Sequence, residues 1–266
     1  AYFHLLSKMS RNIVTSDMQE KLFMKSFFEY LHKAEHQNRA FFTDFYNKDW
    51  MAQMLKQYGG FVPNHMIFYF GGYEGAERQM MGITPYELAR EEWPMRCLKI
   101  EVKTGIGKAL THRDFLGALL GLGIVRESIG DIILAPFGAY VILEAQMADY
   151  VSCTLVSIGR YQNIMLSEIS FDEIVPESPN IKTLQVTVAS LRLDTIIAAG
   201  FGISRTTAAK LIAADKAKCN GVSVSASYSV KEGDSVTLRG YGKIKIGPTL
   251  GMSKKEKLRV VIDKYI

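Results

Sequence analysis

The amino-acid sequence predicts an α+β protein with more than one domain. Its 266 residues are enough for two or three domains of about 100–150 residues each. Apolar residues make up 48% of the chain and charged residues 22%, a balance typical of globular proteins that bury extended cores. Segments with the helical period and segments with the strand period both occur along the chain.

The first domain is predicted at residues 1–84 and combines helices with a short strand. Apolar residues recur at i, i+3 and i+4 across residues 19–37, which predicts a helix. A glycine pair at 59 and 60 is a typical helix stop, and another at 71 and 72 bounds an aromatic, strand-like run. The remaining elements expected here are a helix at residues 49–58, a strand at 65–70 and a helix at 75–81.

The second domain, at residues 85–170, has the most regular order of elements. Residues 96–103 alternate between apolar and charged side chains, which predicts a half-buried strand. Thr111 with Asp114 three residues later forms a capping-box pattern at the start of a helix. The elements that follow are two strands, a helix and a last strand, expected at residues 131–135, 140–143, 144–158 and 163–169. The order β-α-β-β-α-β predicts a ferredoxin-like, RRM-like domain, an architecture that many unrelated functions share.

The C-terminal part of the chain predicts a small module of two helices followed by a sheet. Residues 171–182 contain two prolines and little periodicity, so we interpret them as a linker. The module follows at residues 183–250, and residues 251–266 are interpreted as a basic tail. Its expected features are a helix at 191–200 stopped by Gly200, a helix at 205–215 capped by Ser204, a tight hairpin turn at Asn220-Gly221 and a strand with Lys243 and Lys245 on one face.

Positive charge is concentrated in this last third. Residues 183–266 contain 14 Lys plus Arg against 6 Asp plus Glu, whereas the formal net charge of the whole chain is only +5. A mildly acidic body with a basic module indicates a domain that binds a polyanion, and a merely solvated basic surface is the alternative.

Other features narrow the class of protein. No run approaches the ~18 consecutive apolar residues that a membrane helix needs, and no signal pattern stands at the N-terminus, so we expect a cytoplasmic protein without membrane contact. The three cysteines Cys97, Cys153 and Cys219 form no Cys-x-x-Cys pair, so neither a zinc site nor a disulfide framework is expected. We also find no catalytic arrangement, metal cluster or cofactor motif and therefore expect none.

The C-terminal module resembles the S-four RNA-binding domain over residues 183–250. That domain is shared by a ribosomal small-subunit protein, many pseudouridine synthases and bacterial tyrosyl-tRNA synthetases, so the resemblance implies RNA binding. The residues that carry it are Leu191-Arg192-Leu193-Asp194, Ile203-Ser204-Arg205, Ala208, Leu211-Ile212, Lys216, Asn220-Gly221 and Glu232-Gly233-Asp234.

Motifs further upstream resemble the YlmH family of bacterial proteins. They are Gly71-Gly72-Tyr73-Glu74-Gly75-Ala76-Glu77-Arg78, Thr111-His112-Arg113-Asp114-Phe115-Leu116-Gly117, Leu120-Gly121-Leu122-Gly123-Ile124 and Ile129-Gly130-Asp131-Ile132. The resemblance covers about residues 60–260. It implies an N-terminal domain, a central RNA-binding-type domain and a C-terminal S-four domain. It also implies a role on stalled large ribosomal subunits that carry peptidyl-tRNA. The family also has an older cell-division label.

The candidate RNA contacts are basic and hydrogen-bonding side chains of the S-four module, expected on one basic face. Arg205 begins a helix, where free N–H groups and the helix dipole favour a phosphate. Asp194 is interpreted as structural, because a carboxylate repels phosphate. The candidates are Arg192, Ser204, Arg205, Thr206, Lys210, Lys216, Lys218, Asn220, Arg239, Lys243 and Lys245. A second candidate RNA site comprises Lys108, His112 and Arg113, for which an ordinary capped helix start is the alternative.

The sequence therefore predicts a non-catalytic RNA-binding protein of the translation machinery. The expected partners are rRNA, tRNA or both, and the large ribosomal subunit, with the chain acting as a monomer. Two alternatives stay open: an RNA-modifying enzyme that uses the S-four domain as an accessory, and a protein-interaction scaffold linked to cell division.

Overall fold

The computed structural model describes residues 18–56, 63–103, 110–176, 181–253 and 255–265. The chain divides into two compact units, Ala1–Glu177 and Ser178–Ile266, which we call unit 1 and unit 2. The predicted α+β class is confirmed, with mixed helices and antiparallel sheets in the described residues of both units.

The N-terminal part of unit 1 is a helix pair on a small sheet. Helix α1 (Met18–Gln37) agrees with the predicted helix and buries one face that includes Phe23, Phe27 and Leu31. The other elements are β1 (Phe41–Phe42), β2 (Tyr46–Asn47), α2 (Lys48–Lys56), β3 (Ile67–Phe70) and β4 (Arg78–Ile83). Strand β4 is the centre of this sheet, because β1, β2 and β3 all pair with it antiparallel.

The prediction of a helix at residues 75–81 is wrong, because β4 occupies most of that segment. The backbone N–H groups of Glu77 and Arg78 donate to the carboxylate of Asp131 instead of entering a helix. Residues 79–83 are then buried in a sheet with partners on both sides, so tertiary pairing overrides the local helical pattern.

The ferredoxin-like order predicted for the central part of unit 1 is confirmed. Its elements are β5 (Met95–Val102), α3 (His112–Gly121), β6 (Ile129–Ala135), β7 (Gly138–Glu144), α4 (Ala145–Thr154) and β8 (Ile164–Ile169). The strands form an antiparallel sheet of order β6-β7-β5-β8. Helices α3 and α4 contribute Phe115, Leu119 and Val151 to the core with Leu98 and Ile100 of β5.

The opposite face of the central sheet packs against the N-terminal sheet. Cys97 and Ile142 from the central strands share a buried cluster with Phe45, Met80 and Trp93 from the N-terminal part. An RRM binds RNA bases on the sheet face opposite its helices. In this chain, much of that face is covered by the N-terminal sheet. The two sheets of unit 1 accordingly share one core.

Unit 2 is a five-stranded antiparallel sheet with two helices on one face. The helices are α5 (Leu193–Phe201) and α6 (Arg205–Ala213). The strands are β9 (Ile181–Val188), β10 (Ala217–Cys219), β11 (Ser235–Leu238), β12 (Gly242–Met252) and β13 (Leu258–Tyr265), in the sheet order β10-β11-β12-β13-β9. Ile244 and Ile246 are buried against the helices, as their alternation with lysines predicted.

Three predicted boundaries in this region are wrong. Residues 251–266 do not form a basic tail, because β13 lies in the sheet between β12 and β9 and buries Val260 and Ile262. Strand β9 begins at Ile181, inside the predicted linker at 171–182. The first helix of unit 2 ends at Phe201 and not at Gly200, with Gly202 at φ +68° as its left-handed cap.

Among the described residues, no single helix is long and apolar enough to span a membrane. Helices α5 and α6 reach that composition only as a pair bent by 117°, and their apolar residues belong to the core of unit 2.

Candidate RNA-binding surfaces

The starts of α5 and α6 meet at one buried carboxylate, that of Asp194. Arg192 donates to it through Nε and Nη2, at 3.2 and 3.1 Å from Oδ1 and Oδ2. Arg205, the first residue of α6, donates through Nε to Oδ2 at 3.0 Å. Thr195 Oγ1 adds a contact of 3.2 Å to Oδ1. One acid therefore fixes two predicted RNA-binding arginines that lie 13 positions apart in the sequence.

Asp194, Arg192 and Arg205 form an ion triad in which the acid is buried and both arginines stay partly exposed to solvent. Burial raises the pKa of Asp194, but the hydrogen bonds from Arg192 and Arg205 outweigh it and hold the pKa below its ordinary value. The Asp194 side chain is only 6% exposed, whereas those of Arg192 and Arg205 are 39% and 57% exposed. Each guanidinium thus has donors left for a phosphate, and Asp194 orients them.

The carboxylate of Asp194 gives unit 2 a pH-dependent stability. A group whose folded-state pKa lies below its unfolded value stabilises the fold above the unfolded pKa, here 3.8, and loses that contribution as the pH falls through the folded value. We expect amide hydrogen exchange in α5 and α6 to be slower in wild type than in Asp194→Asn at pH ~6. The difference between the two proteins should disappear as the pH falls through the folded-state pKa of Asp194, which lies below 3.8. A difference that is unchanged at low pH would show that the ion triad does not stabilise these helices.

The remaining candidates on the helical side divide into exposed cations and capping groups. Ser204 Oγ accepts the N–H of Thr207 at 3.0 Å, so its predicted capping role is present, and Thr206 is exposed beside it. Lys210 is exposed on α6. Lys216 and Arg239 are exposed neighbours, because the N–H of Arg239 donates to the carbonyl of Lys216 at 2.8 Å.

Lys218, Lys243 and Lys245 lie on the other side of the sheet. Their strand neighbours Ala217, Cys219, Ile244 and Ile246 point into the core beneath the helices, so by alternation the lysines point away from it. The strand registers place Lys218 and Lys243 on either side of Thr237. The prediction of one basic face is therefore wrong: unit 2 has a helical basic surface around Arg192 and Arg205 and a sheet basic surface of three lysines.

Both polar atoms of the Asn220 side-chain amide form hydrogen bonds within unit 2. Its Nδ2 donates to Asp234 Oδ1 and its Oδ1 accepts the N–H of Ser235, both at 2.8 Å. With Gly221 it forms the predicted tight turn, since both residues have positive φ, +50° and +78°. Its side chain therefore holds this turn against the start of β11, the strand that pairs with β10.

The second candidate site lies at the start of α3, although Lys108 lies outside the described residues. Thr111 and Asp114 form the predicted capping box, with Thr111 N donating to Asp114 Oδ2 at 2.7 Å. Arg113 lines an open groove together with Arg160 and Tyr161. The Arg160 guanidinium lies over the Tyr161 ring at 5.2 Å, a cation–aromatic platform suited to an unpaired base. Sequence reasoning missed both residues, because they stand in a short loop with no periodic signal.

His112 contributes little positive charge to this groove. Burial lowers its pKa, and the nearby Arg126 lowers it further, so the imidazole is neutral at pH 7. Arg126 itself donates to the carbonyls of Ile129 and Gly130, at 2.7 and 3.3 Å. The basic character of the groove therefore comes from Arg113 and Arg160.

Two of the upstream motifs meet in a polar network of unit 1. Asp131 accepts hydrogen bonds from Tyr73 Oη at 2.9 Å, from Glu77 N at 2.7 Å and from Arg78 N at 3.1 Å. Burial raises the pKa of Asp131 and lowers that of Arg78 to about 10. Arg78 Nε also donates to Ile129 O at 2.9 Å. The Gly-Gly-Tyr-Glu-Gly-Ala-Glu-Arg segment is thus fixed onto β6, which accounts for these residues structurally.

Comparison with known proteins matches two family models to the chain. Residues 89–173 match the model described as "Putative RNA-binding domain in YlmH", and residues 191–236 match the S4 domain, which is the S-four domain named above. The first match spans the ferredoxin-like sheet, and the second spans α5, α6, strand β10 and the first two residues of β11.

Individual proteins similar to this chain are also known. A Bacillus subtilis protein named "Ribosome-associated protein quality control protein P2" is 28% identical over 247 residues, which cover 92% of this chain and 95% of that protein. A solved structure, "Cell division protein ylmH from Streptococcus pneumoniae", is similar with a TM-score of 0.45 and 22% identity over 60% of this chain and 96% of that one. Both family models and the Bacillus subtilis relative agree with the motifs quoted above, so the chain resembles the YlmH family in its central and its C-terminal domain.

Proposed function

We propose that this chain is a non-catalytic protein that binds structured rRNA, tRNA or both at the large ribosomal subunit. Its work there is quality control of stalled translation, a role supported by the name of the Bacillus subtilis relative. The observation that carries the RNA-binding part is the pair Arg192 and Arg205, oriented by Asp194 at the starts of two helices.

The geometry supports phosphate recognition at the helical basic surface. Guanidinium groups bind phosphate oxygens through two parallel hydrogen bonds, and their partly exposed edges here are pre-positioned, which lowers the entropy cost of binding. Helix dipoles add positive potential at the same place. The S-four family model covers both arginines.

The sheet basic surface supports a second contact with nucleic acid. Lys218, Lys243 and Lys245 point away from the helices, so one continuous RNA duplex face cannot reach both surfaces of so small a module at once. We propose that the helical surface gives the principal RNA contact and that the three lysines add weaker phosphate contacts with a different RNA segment. The groove of Arg113 and Arg160 in the central domain is a third contact that would act on unpaired bases.

The proposal predicts that the protein sediments with large ribosomal subunits from a cell lysate. We expect wild type to travel with the large subunit at ~0.1 M salt and to dissociate as salt rises, because phosphate contacts release counterions. An Arg205→Glu, Lys218→Glu variant should stay at the top of the gradient. A Lys21→Glu, Lys25→Glu variant in α1, with the same change of charge on exposed residues, should sediment as wild type does.

The outcomes of this experiment separate the alternatives. Failure of the wild type to bind at any salt concentration would contradict the ribosomal role. Equal behaviour of wild type and the Arg205→Glu, Lys218→Glu variant, both bound, would show that the ribosome is reached through another surface. Binding that survives nuclease treatment would favour the protein-scaffold alternative.

A further inference from the structure

Strands β12 and β13 extend the sheet of unit 2 beyond the part that the S-four model matches, which ends at residue 236. Strand β11 pairs with β12 only over residues 242–245. The ladder between β12 and β13 continues to the pair Met252 and Leu258. The distal part of this hairpin, described at residues 249–253 and 255–259, therefore does not pair with β11, and we call it the distal arm.

Hydrogen bonds fix the end of the distal arm. The N–H of Ser253 donates to the carbonyl of Lys257 at 2.7 Å, and the N–H of Glu256 donates to the carbonyl of Ser253 at 3.0 Å. The hydroxyl of Ser253 accepts the N–H of Lys257 at 3.2 Å. Such a turn holds in place the backbone that carries these side chains, which lowers the entropy cost of binding through them.

The exposed side chains of the distal arm combine apolar and cationic groups. Met252 is 65% exposed and Leu250 is 44% exposed. Lys255, Lys257 and Arg259 are exposed as well, against the single exposed carboxylate of Glu256. Apolar side chains held among cations are the combination that packs on bases while neutralising the adjoining phosphates.

The distal arm lies at the end of the sheet where β9 ends and the chain leads to Arg192. Leu258 pairs with Val188, the last residue of β9, and it packs against the core that contains Leu193 of α5. Arg192 follows Val188 by four residues, so its Cα lies within ~15 Å of that of Val188 by chain length alone. Met252 is the cross-strand partner of Leu258 and therefore shares the helix-side face of the sheet.

We propose that the distal arm is an RNA-contact element that extends the site of Arg192 and Arg205. Lys255 and Lys257 bind phosphates of the same RNA, and Met252 packs against an unpaired base next to them. This inference rests on the proposed function of the helical basic surface. The charge of the arm and its place beside the arginines favour RNA over an apolar protein segment as the occupant.

Binding of the full chain to a fluorescently labelled rRNA stem-loop across a salt series tests the proposal. A Lys255→Gln, Lys257→Gln variant should lose about five- to tenfold in affinity at ~0.1 M salt and lower the slope of log K against log salt by about 1–2. A Met252→Ser variant should lose about threefold for the stem-loop but nothing for a blunt duplex of equal length, with an unchanged salt slope. The matched control, Lys21→Gln, Lys25→Gln, should behave as wild type.

The possible results separate this inference from the proposed function. Wild-type affinity of both arm variants, alongside loss of binding in Arg205→Gln, would overturn the role of the arm and leave the helical surface intact. Absence of binding by wild type itself would overturn the proposed function. Circular-dichroism melting of each variant checks that these exposed substitutions leave the fold unchanged.

Discussion

Replacing both arginines of the ion triad, Arg192→Gln with Arg205→Gln, is expected to weaken binding to an rRNA stem-loop by about 100-fold, or ~2.7 kcal/mol. Each guanidinium supplies about one bidentate phosphate contact, and each such contact is worth about tenfold. The slope of log affinity against log salt should fall by about 2, because two phosphates lose their neutralising cation. Fluorescence anisotropy at several salt concentrations measures both quantities.

Two companion variants separate geometry from charge in this prediction. Arg192→Lys with Arg205→Lys keeps both charges but loses the planar forks that Asp194 holds, so we expect the wild-type salt slope with about tenfold weaker binding. Replacing Lys218, Lys243 and Lys245 by glutamine should cost less than replacing the two arginines, because a lysine ammonium binds phosphate as a point charge, whereas a guanidinium binds it through a planar fork. A larger loss from the three lysines would make the sheet surface the principal RNA site. A melting curve checks each variant, since the Gln pair removes both arginine partners of Asp194.

Replacing Asp131 by alanine is expected to destabilise unit 1 by about 3 kcal/mol. The change leaves Tyr73 Oη and the N–H groups of Glu77 and Arg78 without their acceptor, at about 1 kcal/mol each. Urea unfolding followed by tryptophan fluorescence measures the effect on unit 1 alone, because the chain has two tryptophans and both, Trp50 and Trp93, belong to that unit.

A graded control accompanies this variant. Tyr73→Phe removes one of the three donors and should cost only about 1 kcal/mol. Affinity for the rRNA stem-loop through Arg192 and Arg205 should be unchanged in both variants, because those residues lie in unit 2. An unfolding midpoint for Asp131→Ala within error of wild type would show that the network does not hold the two motifs together.

Much of the fold was predictable from local patterns. The β-α-β-β-α-β order of the central domain follows from runs whose period is short, and the capping box at Thr111 and Asp114 involves neighbours three residues apart. Asn220-Gly221 predicts its turn for the same reason, since the need for positive φ is a property of two adjacent residues. The S-four motif located Arg192 and Arg205 within the site that the structure describes.

Local patterns gave wrong predictions where the same segment fits two different structures equally well. Residues 75–81 have a plausible helical spacing, but β4 pairs with β2 and β3. The carboxylate of Asp131 also accepts the N–H of Arg78, the first residue of β4. The segment at 251–266 is basic enough to be interpreted as a tail, yet Val260 and Ile262 within it belong to the core of unit 2. Burial by distant strands decided both cases.

The sequence by itself determined the classes of domain in this protein, the order of their elements and the concentration of cations in the last third of the chain. Only the tertiary structure decided how those cations are arranged. Strand alternation sends Lys218, Lys243 and Lys245 to the side opposite the helices, and the fold brings Arg192 and Arg205 to one carboxylate. The physical reason is that composition and period are local properties, whereas the face on which a side chain emerges and the partner it meets depend on which distant elements bury the backbone between them.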